Sequence, residues 1–95
     1  MKNIRYYNYG NYSSDNYGAH TLCFVTPQGK YWFSYNTLVA FNILGEFHII
    51  KNYWGPTTGK HLNWIDDNKT IREDREIFED NFERLSEQLN LMEAC

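Results

Sequence analysis

Residues 53–66, Tyr53-Trp54-Gly55-Pro56-Thr57-Thr58-Gly59-Lys60-His61-Leu62-Asn63-Trp64-Ile65-Asp66, separate two unlike parts of the chain. Strand formers come before them and one acidic segment with helical spacing comes after. Gly55-Pro56 ends the preceding strand, and a hydroxyl of Thr57 or Thr58 can accept from the unpaired first amides of a short helix reaching Asp66. Those amides, the positive end of the helix dipole, Lys60 and His61 would then converge, which is the physical recipe for an anion site. With Trp54 stacked on a base, the set Trp54, Thr57, Thr58, Lys60 and His61 reads as a nucleotide-binding loop, cyclic nucleotides included. It is not a P-loop. Three residues rather than four separate Gly55 from Gly59, and His61 stands where the Mg²⁺-binding hydroxyl would follow the lysine. The plainer alternative is a connector in which Trp54, Leu62 and Ile65 close the core and Lys60 is solvated.

Working back from this stretch, four or five strands are expected. Ile4 to Tyr9 reads as an edge strand and His20 to Thr26 as a strand covered on both faces. Pro27-Gln28-Gly29 turns the chain, and Tyr31-Trp32-Phe33-Ser34-Tyr35 returns as its antiparallel partner. Thr37 to Ile43 follows as a strand by its β-branched and aromatic content, and Phe47 to Lys51 is the last. Residues 6–18 use only Tyr, Asn, Gly, Ser and Asp. Tyrosines flanked by small polar residues provide contact area at low entropy cost, so Tyr7, Tyr9 and Tyr12 are candidate partner contacts. The alternative is that these rings lid the core.

Working forward, Asp66-Asp67-Asn68-Lys69 is a polar break, and Thr70-Ile71-Arg72-Glu73 matches the capping-box pattern. A helix over 70–94 is predicted, with Ile71, Phe78, Phe82, Leu85, Leu89 and Met92 on one stripe and Ile77 beside it. Its other faces carry Glu73, Glu76, Glu79, Asp80 and Glu83. These are a solvated surface or a nucleic-acid mimic that occupies a basic groove of a partner. A helix longer than the sheet beneath it would leave Leu85 to Met92 for a second copy, so a homodimer through this helix is a further expectation.

Ninety-five residues make one domain, divided into a β-rich body (1–52), the connector (53–69) and the acidic helix (70–95). The net charge of −3 conceals an asymmetry: residues 1–69 hold six Lys or Arg against four acids, residues 70–95 three against eight. That distribution excludes a protein that coats nucleic acid through many cations. No apolar run is long enough to span a bilayer, and the basic start is followed by Tyr and Asn rather than an apolar leader, so a soluble cytosolic protein is expected. His20, His48 and His61 and the two cysteines lack metal-ligand spacing, and no cofactor or catalytic group is assigned.

Tyr12-Ser13-Ser14 with Tyr17-Gly18-Ala19-His20, Trp32 through Phe41, and Trp54 through Ile65 resemble a family of small domains of unknown function carried by phages and mobile elements of Gram-positive bacteria. The resemblance covers roughly residues 12–66 and implies no reaction. It implies a setting, in which small accessory proteins inhibit host defence, anti-CRISPR proteins among them. The combined expectation is an α+β domain, an antiparallel sheet packed on the C-terminal helix with a short helix at 57–66. Its expected role is non-catalytic inhibition of a host defence protein such as a CRISPR nuclease, with a nucleotide-sequestering sponge as the alternative.

Overall fold

A computed structural model describes residues 5–10 and 20–93, the last by its backbone alone. Tyr12 and most of the tyrosine-rich segment lie outside the described residues. The strands are β1 (Arg5–Asn8), β2 (Thr21–Thr26), β3 (Gly29–Ser34), β4 (Thr37–Ile43), β5 (Glu46–Ile50) and β6 (Arg72–Glu73), and the helices are α1 (Pro56–Ile65) and α2 (Arg75–Glu93). The sheet order is the chain order. That simplicity follows from the turns: Pro27-Gln28, Tyr35-Asn36 and Leu44-Gly45 are each two-residue links between antiparallel neighbours. At the first, Thr26 Oγ1 accepts from the Gln28 and Gly29 amides at 3.3 and 3.1 Å. At the last, Leu44 and Gly45 have φ of 54° and 86°, the paired positive values of a type I′ hairpin turn whose twist matches the strands.

β6 departs from expectation. Arg72 and Glu73 leave the predicted helix and pair parallel to β5, opposite Ile49 and Ile50, with the Lys51 amide donating to the Glu73 carbonyl at 2.9 Å. The sheet is therefore six-stranded and mixed, one short strand larger than predicted. The capping box at Thr70 is not used. Residues Lys69–Ile71 form a single 3₁₀ turn in which Asn68 Oδ1 accepts from the Thr70 amide, and α2 begins only at Arg75, its first bond running from the Phe78 amide to the Asp74 carbonyl.

Both faces of the sheet are covered. Ala40 and Phe41 are neighbours in β4 and point to opposite faces, yet both are fully buried. On the Phe41 side lies α2, with the Phe78 and Phe82 rings 5.0 and 5.2 Å from that of Phe41. On the other side, shared by Cys23, Trp32, Ala40 and Ile49 in register, lies α1, fixed through Ser34, Thr58 and His61. A register shift after Trp32 leaves Val39 without an opposite residue on β3, though it is fully buried in the core. The connector helix packs on this side at the Ser34 end of β3, next to the β3–β4 turn. Of the predicted α2 stripe, Phe78 and Leu85 are buried and Phe82 and Leu89 half-buried, whereas Ile71, Ile77 and Met92 are exposed.

Candidate functional site

The described surface offers two places of distinct chemistry, one on each side of the sheet. The first is built on α2. Its start is tied down by Tyr53, whose hydroxyl accepts from the Arg75 amide at 3.0 Å while the Arg75 guanidinium lies 4.7 Å above the Tyr53 ring and 5.7 Å from that of Trp54. Its middle is tied to β5 and β6. His48 Nδ1 meets Glu73 Oε2 at 2.5 Å and its Nε2 meets Glu46 Oε1 at 3.0 Å, while Arg84 Nη2 donates to Glu46 at 2.8 Å and Asn81 Nδ2 to Glu73 at 3.3 Å. Lys51 pairs with Asp74 at 2.7 Å.

These contacts sort the predicted acidic residues. Glu73 is hydrogen-bonded to His48 and Asn81 inside the molecule, so it is not a free partner-binding group. Glu76, Glu79, Asp80 and Glu83 are exposed and, with Glu87, have no cationic partner among the described residues. Both arginines of α2 are engaged elsewhere, Arg75 on two aromatic rings and Arg84 on Glu46. Glu76, Asp80, Glu83 and Glu87 recur at helical spacing, so like charges stand one turn apart, each such pair costing about 0.2–0.5 kcal/mol. Beside this stripe runs a groove of about 600 Å³, with Leu38, Phe78 and Phe82 as its apolar lining, Glu79 and Glu83 on α2, Asn36 from the β3–β4 turn and Thr37 at the start of β4. By sequence alone Phe78 and Phe82 share one core-facing stripe; the sheet shows that Phe78 is buried while Phe82 stays half-buried beside the half-buried Leu38. Tyr7 is exposed on β1, and Tyr9 donates from its hydroxyl to the Phe33 carbonyl at 2.8 Å, which makes Tyr9 a strut of the sheet.

The His48 cluster sets a pH dependence. Burial, the largest single influence on His48, opposes its charge, but the hydrogen bonds and charges of Glu73 and Glu46 together outweigh it and raise its pKa. Arg84 and His48 hold the Glu46 carboxyl down at about 2. Burial, with the charges of His20 and Lys60, lowers the pKa of His61. A raised folded value means that His48 stabilises fully below the unfolded pKa, about 6.5, and that this is lost as pH climbs through the folded value. The lowered value of His61 acts on the other side: its contribution is lost as pH falls below about 6.5. The melting temperature should therefore pass through a maximum between about pH 6 and 7. Glu73→Gln should flatten the alkaline fall and leave the acid one, as measured by thermal unfolding across pH.

The second place is α1, where the expected ligand set is not brought together. Gly55 is the N-cap and makes no side-chain cap bond, Pro56 opening the helix, so neither Thr57 nor Thr58 caps it. Thr58 and His61 point into the protein. Ser34 Oγ lies 2.7 Å from His61 Nδ1 and 3.2 Å from Thr58 Oγ1, with His61 at 0% and Ser34 at 2% exposure. Trp54 sits on the rim of a hollow of about 150 Å³ over Ser34 and Thr58. Thr57 and Lys60 are exposed. Lys60 turns instead toward Asn63, Lys69 and Arg72 around a separate polar cleft. Lys69 and Arg72 carry no signal in the sequence, because their approach to Lys60 depends on β6 joining the sheet. Among the described residues no cluster of three or more His, Cys, Asp or Glu side chains is arranged to hold a metal ion, Cys23 is buried and free, and no helix is long and apolar enough to cross a membrane.

Against known proteins, residues 2–80 match the sequence model of a family of unknown function, DUF8033. No curated protein and no solved structure matches the chain.

Proposed function

We propose, from the premise that the chain belongs to the DUF8033 family of unknown function, that it is a non-catalytic binding protein whose α2 face docks on a basic, nucleic-acid-handling surface of a partner protein. Carried on a phage or mobile element, as the resemblance of its motifs implies, it would inhibit a host defence machine of the CRISPR-nuclease kind by occupying the groove meant for nucleic acid. The observation that supports this reading is the stripe Glu76, Glu79, Asp80, Glu83 and Glu87, left without internal counter-ions although α2 carries two arginines. Folding alone would favour interleaving those charges. A partner supplying lysines and arginines turns the local repulsion into attraction, speeds encounter and rejects acidic competitors. The apolar floor at Leu38, Phe78 and Phe82 gives that partner something to bury beside the charges.

The test is parallel affinity capture from a bacterial host lysate on the wild type and on the triple variant Glu76→Lys, Glu79→Lys, Glu83→Lys. The wild type should retain a nucleic-acid-binding protein that elutes as salt is raised, and the variant should lose it, with affinity down about a hundredfold if each reversal costs ~1 kcal/mol. The fold should survive. Glu76 lies in the first turn of α2, where a lysine costs about 0.3–1 kcal/mol against the helix dipole. The reversals at Glu76 and Glu83 also place a cation one turn before Asp80 and Glu87, which returns a few tenths of a kcal/mol, roughly, for each pair. Identical proteins on both columns would rule out the acidic face as the docking surface.

A further inference from the structure

The cleft between α1 and β6 carries a second inference, independent of the acidic face. Its volume is about 470 Å³, and Lys60, Lys69, Arg72, Asn52 and Asn63 line it together with the backbone at Gly59. That size is within the range of roughly 300–1,000 Å³ usual for small-molecule sites. Three cations and two amides face it with no carboxylate among them, on a protein whose net charge is −3. None of the three cations has an ion-pair partner among the described residues. Arg72 is the most exacting case. It is half-buried, its Nη2 donates only to neutral oxygens, Asn63 Oδ1 at 2.8 Å and the Asp66 carbonyl at 3.2 Å, and its Nε is buried without a hydrogen-bond partner. A guanidinium withdrawn from water and given no anion is costly. Arg72 Nη1 makes no hydrogen bond among the described residues, so the guanidinium, held at a fixed angle by Asn63 and the Asp66 carbonyl and pinned to the sheet through β6, keeps a donor and its charge for an anionic oxygen.

We propose that this cleft binds the phosphates of a small polyphosphate. Its walls decide against a base-stacking site: no aromatic side chain lines it, and the polar groups are donors suited to anionic oxygens. It is much larger than one phosphate, and the separate ammonium groups of Lys60 and Lys69 give successive phosphates separate counter-charges beside the Arg72 guanidinium. The ligand is therefore recognised by its chain of phosphates, whether that chain is free or is the tail of a nucleotide.

The experiment is calorimetric titration of the intact protein with inorganic tripolyphosphate, with ATP and with AMP, at constant ionic strength, using sulfate as the control anion. Wild type should bind tripolyphosphate and ATP with similar affinity and AMP much more weakly. Lys60→Ala with Lys69→Ala should weaken tripolyphosphate by about tenfold or more, and Arg72→Lys, which keeps the charge and loses the donor that Asn63 holds in place, should weaken it too. The pair Glu79→Lys, Glu83→Lys on the opposite side of the sheet should leave it unchanged. Thermal unfolding of each variant in buffer separates lost binding from lost fold; the double lysine variant, with both substitutions at exposed positions, is expected to melt as the wild type does. Equal heats with sulfate, retention of binding in the double lysine variant, or binding of AMP as tight as that of ATP would each overturn the proposal.

Discussion

Phe41→Ala should cost about 3–5 kcal/mol, the range for emptying a buried aromatic position, against a total stability of about 5–15 kcal/mol for a domain of this size. Phe41 is fully buried, and three rings lean on it: Phe78, Phe82 and His48, at 5.0, 5.2 and 5.3 Å. It is thus the main anchor between the sheet and α2. Its loss opens a cavity where the helix meets β4 and loosens the His48–Glu73 bond beside it. Chemical denaturation should show the midpoint falling sharply, with helical and near-ultraviolet aromatic signals lost together. A change below about 1 kcal/mol would mean that α2 is held by its polar ties instead.

His61→Ala comes next, at about 3 kcal/mol, because it removes a fully buried ring and takes a hydrogen-bond partner from the buried Ser34 hydroxyl. Ser34 keeps Thr58 at 3.2 Å, which limits the loss. Lys60→Ala, one residue away, should stay within about 0.5 kcal/mol, since its side chain lies in solvent. The pair measured side by side by denaturant unfolding separates the two roles. If His61→Ala melts like wild type while Lys60→Ala does not, α1 is rotated relative to the arrangement described.

That contrast also shows where sequence reasoning stops. Lys60 and His61 read as one site because they are adjacent, but adjacent helical residues point about 100° apart, and only residues three or four apart share a face. Thr58 with His61 and Lys60 with Asn63 are such pairs, and they fall on opposite sides of α1. The strands β2 to β5 are legible to within a residue or two at each end, since turn chemistry and β-branched content agree there. The start of α2 is not. Thr70-Ile71-Arg72-Glu73 satisfies a local capping rule, but open hydrogen-bonding groups on the edge of β5 take Arg72 and Glu73 as a strand, and a partner distant in sequence outweighs the local signal. The same pairing creates the polar cleft, which is why Lys69 and Arg72 do not stand out in the sequence. The acidic face is legible as composition; that its counter-ions are absent is not, because Arg75 and Arg84 sit within reach of it in sequence and turn away in space.

The most direct measurement is zero-length carbodiimide cross-linking of the captured complex, which joins carboxylates to lysines in contact, followed by mass-spectrometric location of the joined residues. Docking through α2 predicts bonds from Glu76, Glu79 or Glu83 to lysines of the partner, suppressed by high salt. Joined residues confined to other parts of the chain, with α2 untouched, would contradict it.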